Sequence, residues 1–262
     1  MLEFDLPRKT KISQTFGGRT KGYEAEAQIQ RDIAAKLSGF LPDFKSTEDL
    51  RILEIGCGTG FLTQHLIQKY PKALFHITDI SPEMVAFCQA KFSDSPIREF
   101  FVLDGENPDS RLSEKYDLIV SSMAAQWFGN PAQGLKNLSR FGEVYYSTLG
   151  PRAFQEWRST LDNTNAAIGL LNVPEWPRIF HDELIPKNYG SARNFLKVLK
   201  ETGTSQPNRD YAPLPPKKLK AAMKYFDETY HGQITWHIVY GKIPYAAAES
   251  VSTKSSDFSI TP

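Results

Sequence analysis

Between residues 51 and 148 the sequence alternates short apolar runs with helical stretches, and this rhythm constrains the fold more than any other feature. The runs cover 51–55, 74–78, 99–103, 118–121 and 144–148, with helical patterns near 61–69, 83–92 and 131–139 between them. Strands that alternate with helices form βαβ units, whose parallel pairing and right-handed crossovers put helices on both faces of one sheet. The segment therefore predicts a doubly wound, mostly parallel α/β domain.

The flanks read differently. Residues 1–11 are charged, contain Pro7 and show no periodicity, as expected of a loose leader. Ile29, Ile33, Leu37 and Leu41 then step at helical spacing up to Pro42 and predict an amphipathic helix ahead of the first strand. After Gly150 a helix is expected near 152–168, followed by a stretch with Pro174, Pro177 and Pro186 that cannot be regular throughout, the start of a lobe or lid. Two amphipathic helices follow, one presenting Ala192, Phe195, Leu196 and Leu199, the other Leu219, Ala222, Met223 and Phe226, and the run 234–239 predicts a closing strand. Residues 244–262 are rich in Ala, Ser and Thr and are expected to trail in solvent. The organisation expected is a leader and cap helix over 1–45, a ligand-binding core over 46–150, a substrate lobe with its closing strand over 151–243, and a tail over 244–262.

Composition narrows the class of function. With 262 residues, 40% hydrophobic and 23% charged, the chain is large enough for one domain with an appended lobe. Its 31 basic and 30 acidic side chains leave a formal net charge of +1, so no whole-protein field draws it to nucleic acid or to an anionic membrane, and neither is expected as a partner. No run approaches the roughly 20 apolar residues of a membrane span. Cys57 and Cys88 are the only cysteines and the N-terminus carries no apolar signal, which predicts a cytoplasmic protein with reduced thiols. The five histidines show no metal-ligand spacing, and no metal site is expected.

The chemistry is concentrated at the ends of the strands. Glu54-Ile-Gly56-Cys57-Gly58-Thr59-Gly60 follows the first strand and precedes a helix, the place where open α/β sheets bind ligands. Alternate glycines let the backbone turn sharply and approach a ligand closely. The spacing is not that of a dinucleotide fingerprint, and a carboxylate at Glu54 repels phosphate while it welcomes a cation. S-adenosylmethionine (AdoMet), with its ammonium and sulfonium, fits that preference. Asp79 ends the second strand about 20 residues beyond the glycines, where an acid accepts ribose hydroxyls, and Asp104 ends the third, suited to an adenine amino group. Ile80, Met84, Gly105 and Ser121 complete the candidate cofactor set. Cys57 has no accompanying His/Asp pair and reads as a small loop residue, not a nucleophile.

Further blocks carry a resemblance. The stretch Phe16-Gly-Gly to Tyr23, Ala27 and Gln30, then LEIGCGTG, SSMAAQWFGN, STLGPRAFQEWR, YGSARNFLKVLKETGTS and ITWHIVYG resemble malonyl-acyl-carrier-protein O-methyltransferases of biotin synthesis over about residues 12–243. The resemblance implies a class I methyltransferase sheet with an antiparallel closing strand, AdoMet as cofactor, and methylation of the free carboxylate of a malonyl group on acyl carrier protein or coenzyme A. It departs at 138–143, a turn several residues shorter than the family's. Substrate-pocket candidates from these blocks are Tyr23, Gln126, Trp127, Arg193 and His237, with Phe16 and Trp236 as further walls. Arg193 is expected to hold the substrate carboxylate through its planar fork, with Arg158 next in line. Lys197, Lys200, Lys217, Lys218, Lys220 and Lys224 on the two late helices are expected to meet an acidic carrier. Two alternatives stay open: a methyltransferase of another small acid or nucleophile, and an AdoMet-binding protein without turnover.

Overall fold

A computed structural model describes residues 28–92, 99–112, 115–163, 175–201 and 214–246. In chain order the elements are α1 (Gln28–Phe40), β1 (Arg51–Ile55), α2 (Phe61–Lys69), β2 (Leu74–Asp79), α3 (Pro82–Lys91), β3 (Glu99–Val102), β4 (Leu118–Ser122), a short 3-10 turn (Ala125–Trp127), α4 (Pro131–Leu138), β5 (Val144–Leu149), α5 (Gln155–Asn163), β6 (Ile179–Asn188), α6 (Ala192–Glu201), α7 (Pro216–Tyr230) and β7 (Gln233–Ile243). The leader, Phe16, Tyr23 and residues 247–262 lie outside the described residues, as does the end of the helix expected near 152–168.

The seven strands form one sheet in the order β3-β2-β1-β4-β5-β7-β6. The first five run parallel to one another, while β7 runs antiparallel to both β5 and β6. The doubly wound class and the antiparallel closing strand both hold. Chain order reverses between β1 and β4, and the crevice beyond the carboxyl ends of the strands at such a switch is where these sheets take ligands. One apolar cluster, containing Ile33, Leu37, Ile52, Leu66, Phe75, Phe195, Phe226 and Trp236, fills the face under α1 and the late helices. A second, with Leu53, Ile55, Ile119, Leu135, Val144 and Tyr146, fills the opposite face.

β6 is a strand that the sequence reading did not offer, within a stretch expected not to be regular throughout. Its sequence IFHDELIPKN has charges on both faces and a proline, so no apolar alternation announces a strand. The strand forms at the sheet's edge, where one face of hydrogen bonding suffices. Pro186 pairs opposite Thr235, the position an edge strand tolerates. The short turn at 138–143 costs the sheet nothing: Phe141 N–H bonds Leu138 C=O at 2.9 Å, and β5 enters fully buried at every residue.

The ends of β6 and β7 fix where the late helices sit. Leu149, the carboxyl end of β5, pairs with Ile238, and Asn188, the end of β6, pairs with Gln233, the start of β7. The connection through α6 and α7 therefore leaves and re-enters the sheet at its carboxyl edge, the same edge as the glycine loop after β1.

Candidate active site

The glycine loop is tied down from β2. The Thr78 carbonyl accepts from both Gly56 N–H and Cys57 N–H at 2.9 Å, and Asp79 Oδ2 accepts from Gly58 N–H at 2.9 Å. From α3, Lys91 Nζ reaches the Thr59 carbonyl at 3.0 Å. Gly56, Gly58 and Gly60 all have positive φ, but they serve different ends. A Cβ on Gly56 would meet Ala124 at 2.3 Å and one on Gly60 would meet Phe92 at 2.4 Å, so these two are needed for packing. Only Gly58 opens onto free space, and there the backbone faces the cleft.

The cleft runs along the strand ends. Glu54, Gly56, Cys57, Gly58 and Thr59 line it from β1 and its loop, Asp79 and Ile80 from β2, Asp104 and Gly105 from beyond β3, and Ser122, Met123 and Ala124 from β4. Met84, Trp127 and Phe128 close it, and Gln30 and Ala34 of α1 cover it with Phe61 and Leu62 of α2. The three carboxylates expected to share one crevice do so.

Each acid is held in its own way. Glu54 is 1% exposed and accepts from Thr63 Oγ1 at 2.6 Å. Burial raises its pKa to about 8, Thr63 opposing and the nearby Asp79 charge adding to the rise, so the carboxyl holds a proton at neutral pH until a cation approaches. Asp79 caps the turn into α3, accepting from Ser81 N–H at 2.9 Å while it braces Gly58, and burial raises its pKa as well. Asp104 accepts from Glu106 N–H at 3.1 Å, so it caps a turn as well as lining the cleft. Thr59 Oγ1 is buried without a hydrogen-bond partner among the described residues, a polar atom in the cleft wall left for a ligand. Cys57 is pushed far above the ordinary thiol range by its hydrogen bond with Cys88 and by burial, which leaves no thiolate for nucleophilic attack.

Several expected residues stand elsewhere. Ser121 faces away from the cleft, buried and without a partner among the described residues, and its neighbour Ser122 lines the cleft in its place, as the alternation of a strand requires. Gln126 is buried just behind the wall, donating to the Met123 carbonyl at 2.8 Å and accepting from Thr148 Oγ1 at 2.9 Å. His237 is a joint of the sheet. Its Nδ1 accepts from Arg152 N–H at 3.0 Å, which leaves Nε2–H to donate to Asp182 at 2.9 Å. Trp236 is core, 1% exposed, edge-on to Phe154 and donating to Tyr189 OH at 3.0 Å. Arg193 is exposed on α6 and does not line the cleft, and Arg158 turns back to the Ala153 carbonyl at 3.0 Å.

Sequence reasoning missed Gln30, Ala34, Thr59, Phe61, Ser122, Met123, Ala124 and Phe128. A polar Gln30 within the buried stripe of α1 was a usable signal, since a 7% exposed glutamine inside an apolar face needs a reason. Met123 has φ 53°, a strained value for a residue with a long side chain, and such strain collects at ligand sites.

Comparison with known proteins fits this geometry. The Methyltransferase domain family matches residues 53–141. Malonyl-[acyl-carrier protein] O-methyltransferase of Magnetococcus marinus is 35% identical over 89% of this chain and 92% of its own length. The biotin biosynthesis bifunctional protein BioCD of Bordetella avium is 32% identical over 90% of this chain and 52% of its own length. Among solved structures, the YcgJ protein of Bacillus subtilis superimposes with a TM-score of 0.52 at 14% identity, covering 83% of this chain and 99% of that one, a likeness of fold alone.

Proposed function

Because this chain belongs to the malonyl-[acyl-carrier protein] O-methyltransferase family, we propose that it methylates the free carboxylate of a malonyl thioester on acyl carrier protein, a step of biotin precursor synthesis. The observation that carries this reading is one cleft that brings the carboxyl groups of Glu54, Asp79 and Asp104 together with the apolar and aromatic groups of Phe61, Met123, Trp127 and Phe128. Glu54 and Asp79 suit the cationic and ribose parts of AdoMet, Asp104 its adenine edge, and the Thr59 hydroxyl its carboxyl end, with Gly58 leaving room for close approach. When bound, AdoMet supplies an electrophilic methyl group on a sulfonium.

The acceptor asks little of the protein. A carboxylate with a reference pKa near about 4 is already an anion at neutral pH, so no side chain need take its proton. What remains is positioning and exclusion of water. Trp127, Phe128, Met123 and Phe61 form the walls that keep water from the reacting atoms, where approach within about 3–3.5 Å is required. An anionic acceptor and a cationic donor neutralise each other as they react, so a low-dielectric pocket does not oppose the step.

Labelled AdoMet offered with malonyl-carrier protein, malonyl coenzyme A and free small dicarboxylic acids tests the reading. The highest kcat/KM is expected for malonyl-carrier protein. Preference for a free acid would assign the chain a different acceptor, and no transfer to any would leave a binding protein.

A further inference from the structure

Helices α6 and α7 connect the end of β6 to the start of β7 at the carboxyl edge of the sheet, the edge at which the cleft opens. Their inner faces are apolar: Ala192, Phe195 and Leu199 of α6 and Ala222 and Phe226 of α7 are buried in the main core. Their outer faces are basic. Arg193, Lys197 and Lys200 are exposed at a spacing that sets them on one stripe of α6, and Lys217, Lys220 and Lys224 form a second stripe on α7, with Lys218 beside it.

Asp227 is half-buried and accepts from Ala192 N–H at 2.6 Å, and Glu228 pairs with Lys224 at 3.7 Å. The two helices hold seven basic residues against three acidic ones, Glu201 included, while the whole chain has a net charge of only +1. The excess is local. Helix stability does not explain it, because Lys217 and Lys218 occupy the first turn of α7, where the positive end of the helix dipole disfavours cations and no acid is present.

We propose that this outer face of α6 and α7 is the docking surface for the carrier protein, an acidic partner whose malonyl arm then reaches the cleft at the same edge. The proposal rests on the carrier-linked acceptor argued above. Charge complementarity of this kind acts on encounter and on KM more than on the chemical step, and a small free acid would have no use for it. Arg193 thereby takes a different part from the one its sequence context suggested: it begins the basic stripe and leaves the malonyl carboxylate to the cleft.

The test is the triple variant Lys217→Glu, Lys218→Glu, Lys220→Glu, with the glutamine triple at the same positions as an intermediate. Glutamates at 217 and 218, in the first turn, favour the helix, and one at 220 stands four residues before Lys224 as a favourable pair, so the change does not threaten folding. At low salt KM for malonyl-carrier protein is expected to rise at least about tenfold with kcat within about twofold, the glutamine variant lying between. The steep salt dependence of the wild-type KM should flatten, while AdoMet affinity and turnover of a malonyl N-acetylcysteamine thioester stay unchanged. An unaltered KM and salt response would overturn the proposal, and so would equal losses on carrier and small thioester. A wild-type enzyme that methylates free acids but not malonyl-carrier protein would overturn the functional reading itself, and this surface's occupant with it.

Discussion

The two ends of the reaction are built on opposite electrostatic plans. The cleft gathers Glu54, Asp79 and Asp104 in partial or full burial, where charge costs solvation and each carboxyl is restrained by hydrogen bonds, Glu54 from Thr63, Asp79 from Gly58 and Ser81, and Asp104 from Glu106. The outer face of α6 and α7 carries basic groups in open solvent, where charge costs little solvation and long stems keep their heads in water. A site for a small cation must bury its acids, so it shows in shifted pKa values and strained backbone. A face for a large acidic partner must stay exposed, and shows only in the sign and spacing of its charges.

The largest effect expected on cofactor binding comes from Asp79→Ala. The change removes a charged acceptor from the ribose position and also frees Gly58, so AdoMet affinity should fall about ten- to a hundredfold, roughly 1.5–3 kcal/mol. Calorimetry reads it directly, and unchanged affinity would break the assignment of the acidic end.

Glu54→Gln sharpens the contrast because function and stability should move in opposite directions. With a folded pKa of about 8 against an ordinary 4.5, Glu54 holds its proton more tightly in the folded chain, so its contribution to stability is full below about 4.5 and is lost as pH rises towards 8. The glutamine variant should therefore remove a pH-dependent loss and leave the ligand-free protein more stable at pH 8 by about 1–3 kcal/mol. AdoMet affinity should drop about tenfold, near 1.4 kcal/mol. Thermal melts from pH 5 to 8 in both proteins check the first, calorimetry the second. A variant less stable than the parent at pH 8 would contradict the burial argument.

The smallest effect on cofactor binding is expected at His237, which belongs to neither region. Because it bonds Arg152 N–H and Asp182 and stands clear of the cleft, His237→Gln should lower stability by about 1 kcal/mol and leave AdoMet affinity within about twofold. A tenfold loss of affinity would place it in the site after all.

How much of the molecule was legible in the sequence divides along the same line. The core strands, the glycine loop and the three acids are local features, each set by a strand end and the turn after it, so Glu54, Asp79 and Asp104 stood out by position. Ser121 was displaced by one residue because side-chain alternation, not sequence context, decides which serine of β4 faces the cleft. His237 and Trp236 sit in a distinctive block, yet their roles depend on β6, whose mixed IFHDELIPKN hides an edge strand stabilised by pairing with β7. Gln30 and Ala34 reach the cleft only because α1 folds back over it, a tertiary contact that helical periodicity alone does not specify.

Everything turns on the methyl group's arrival on the malonyl carboxylate oxygen of a carrier-bound thioester. Intact-protein mass spectrometry of malonyl- and acetyl-carrier protein, each incubated with the enzyme and AdoMet and then treated with a carboxylesterase, tests it most directly. The expected result is a gain of one CH2 on the malonyl carrier alone, removed by the esterase. A gain that survives the esterase, which would mark methylation at carbon, or one that also occurs on the acetyl carrier, which has no free carboxylate, would contradict it.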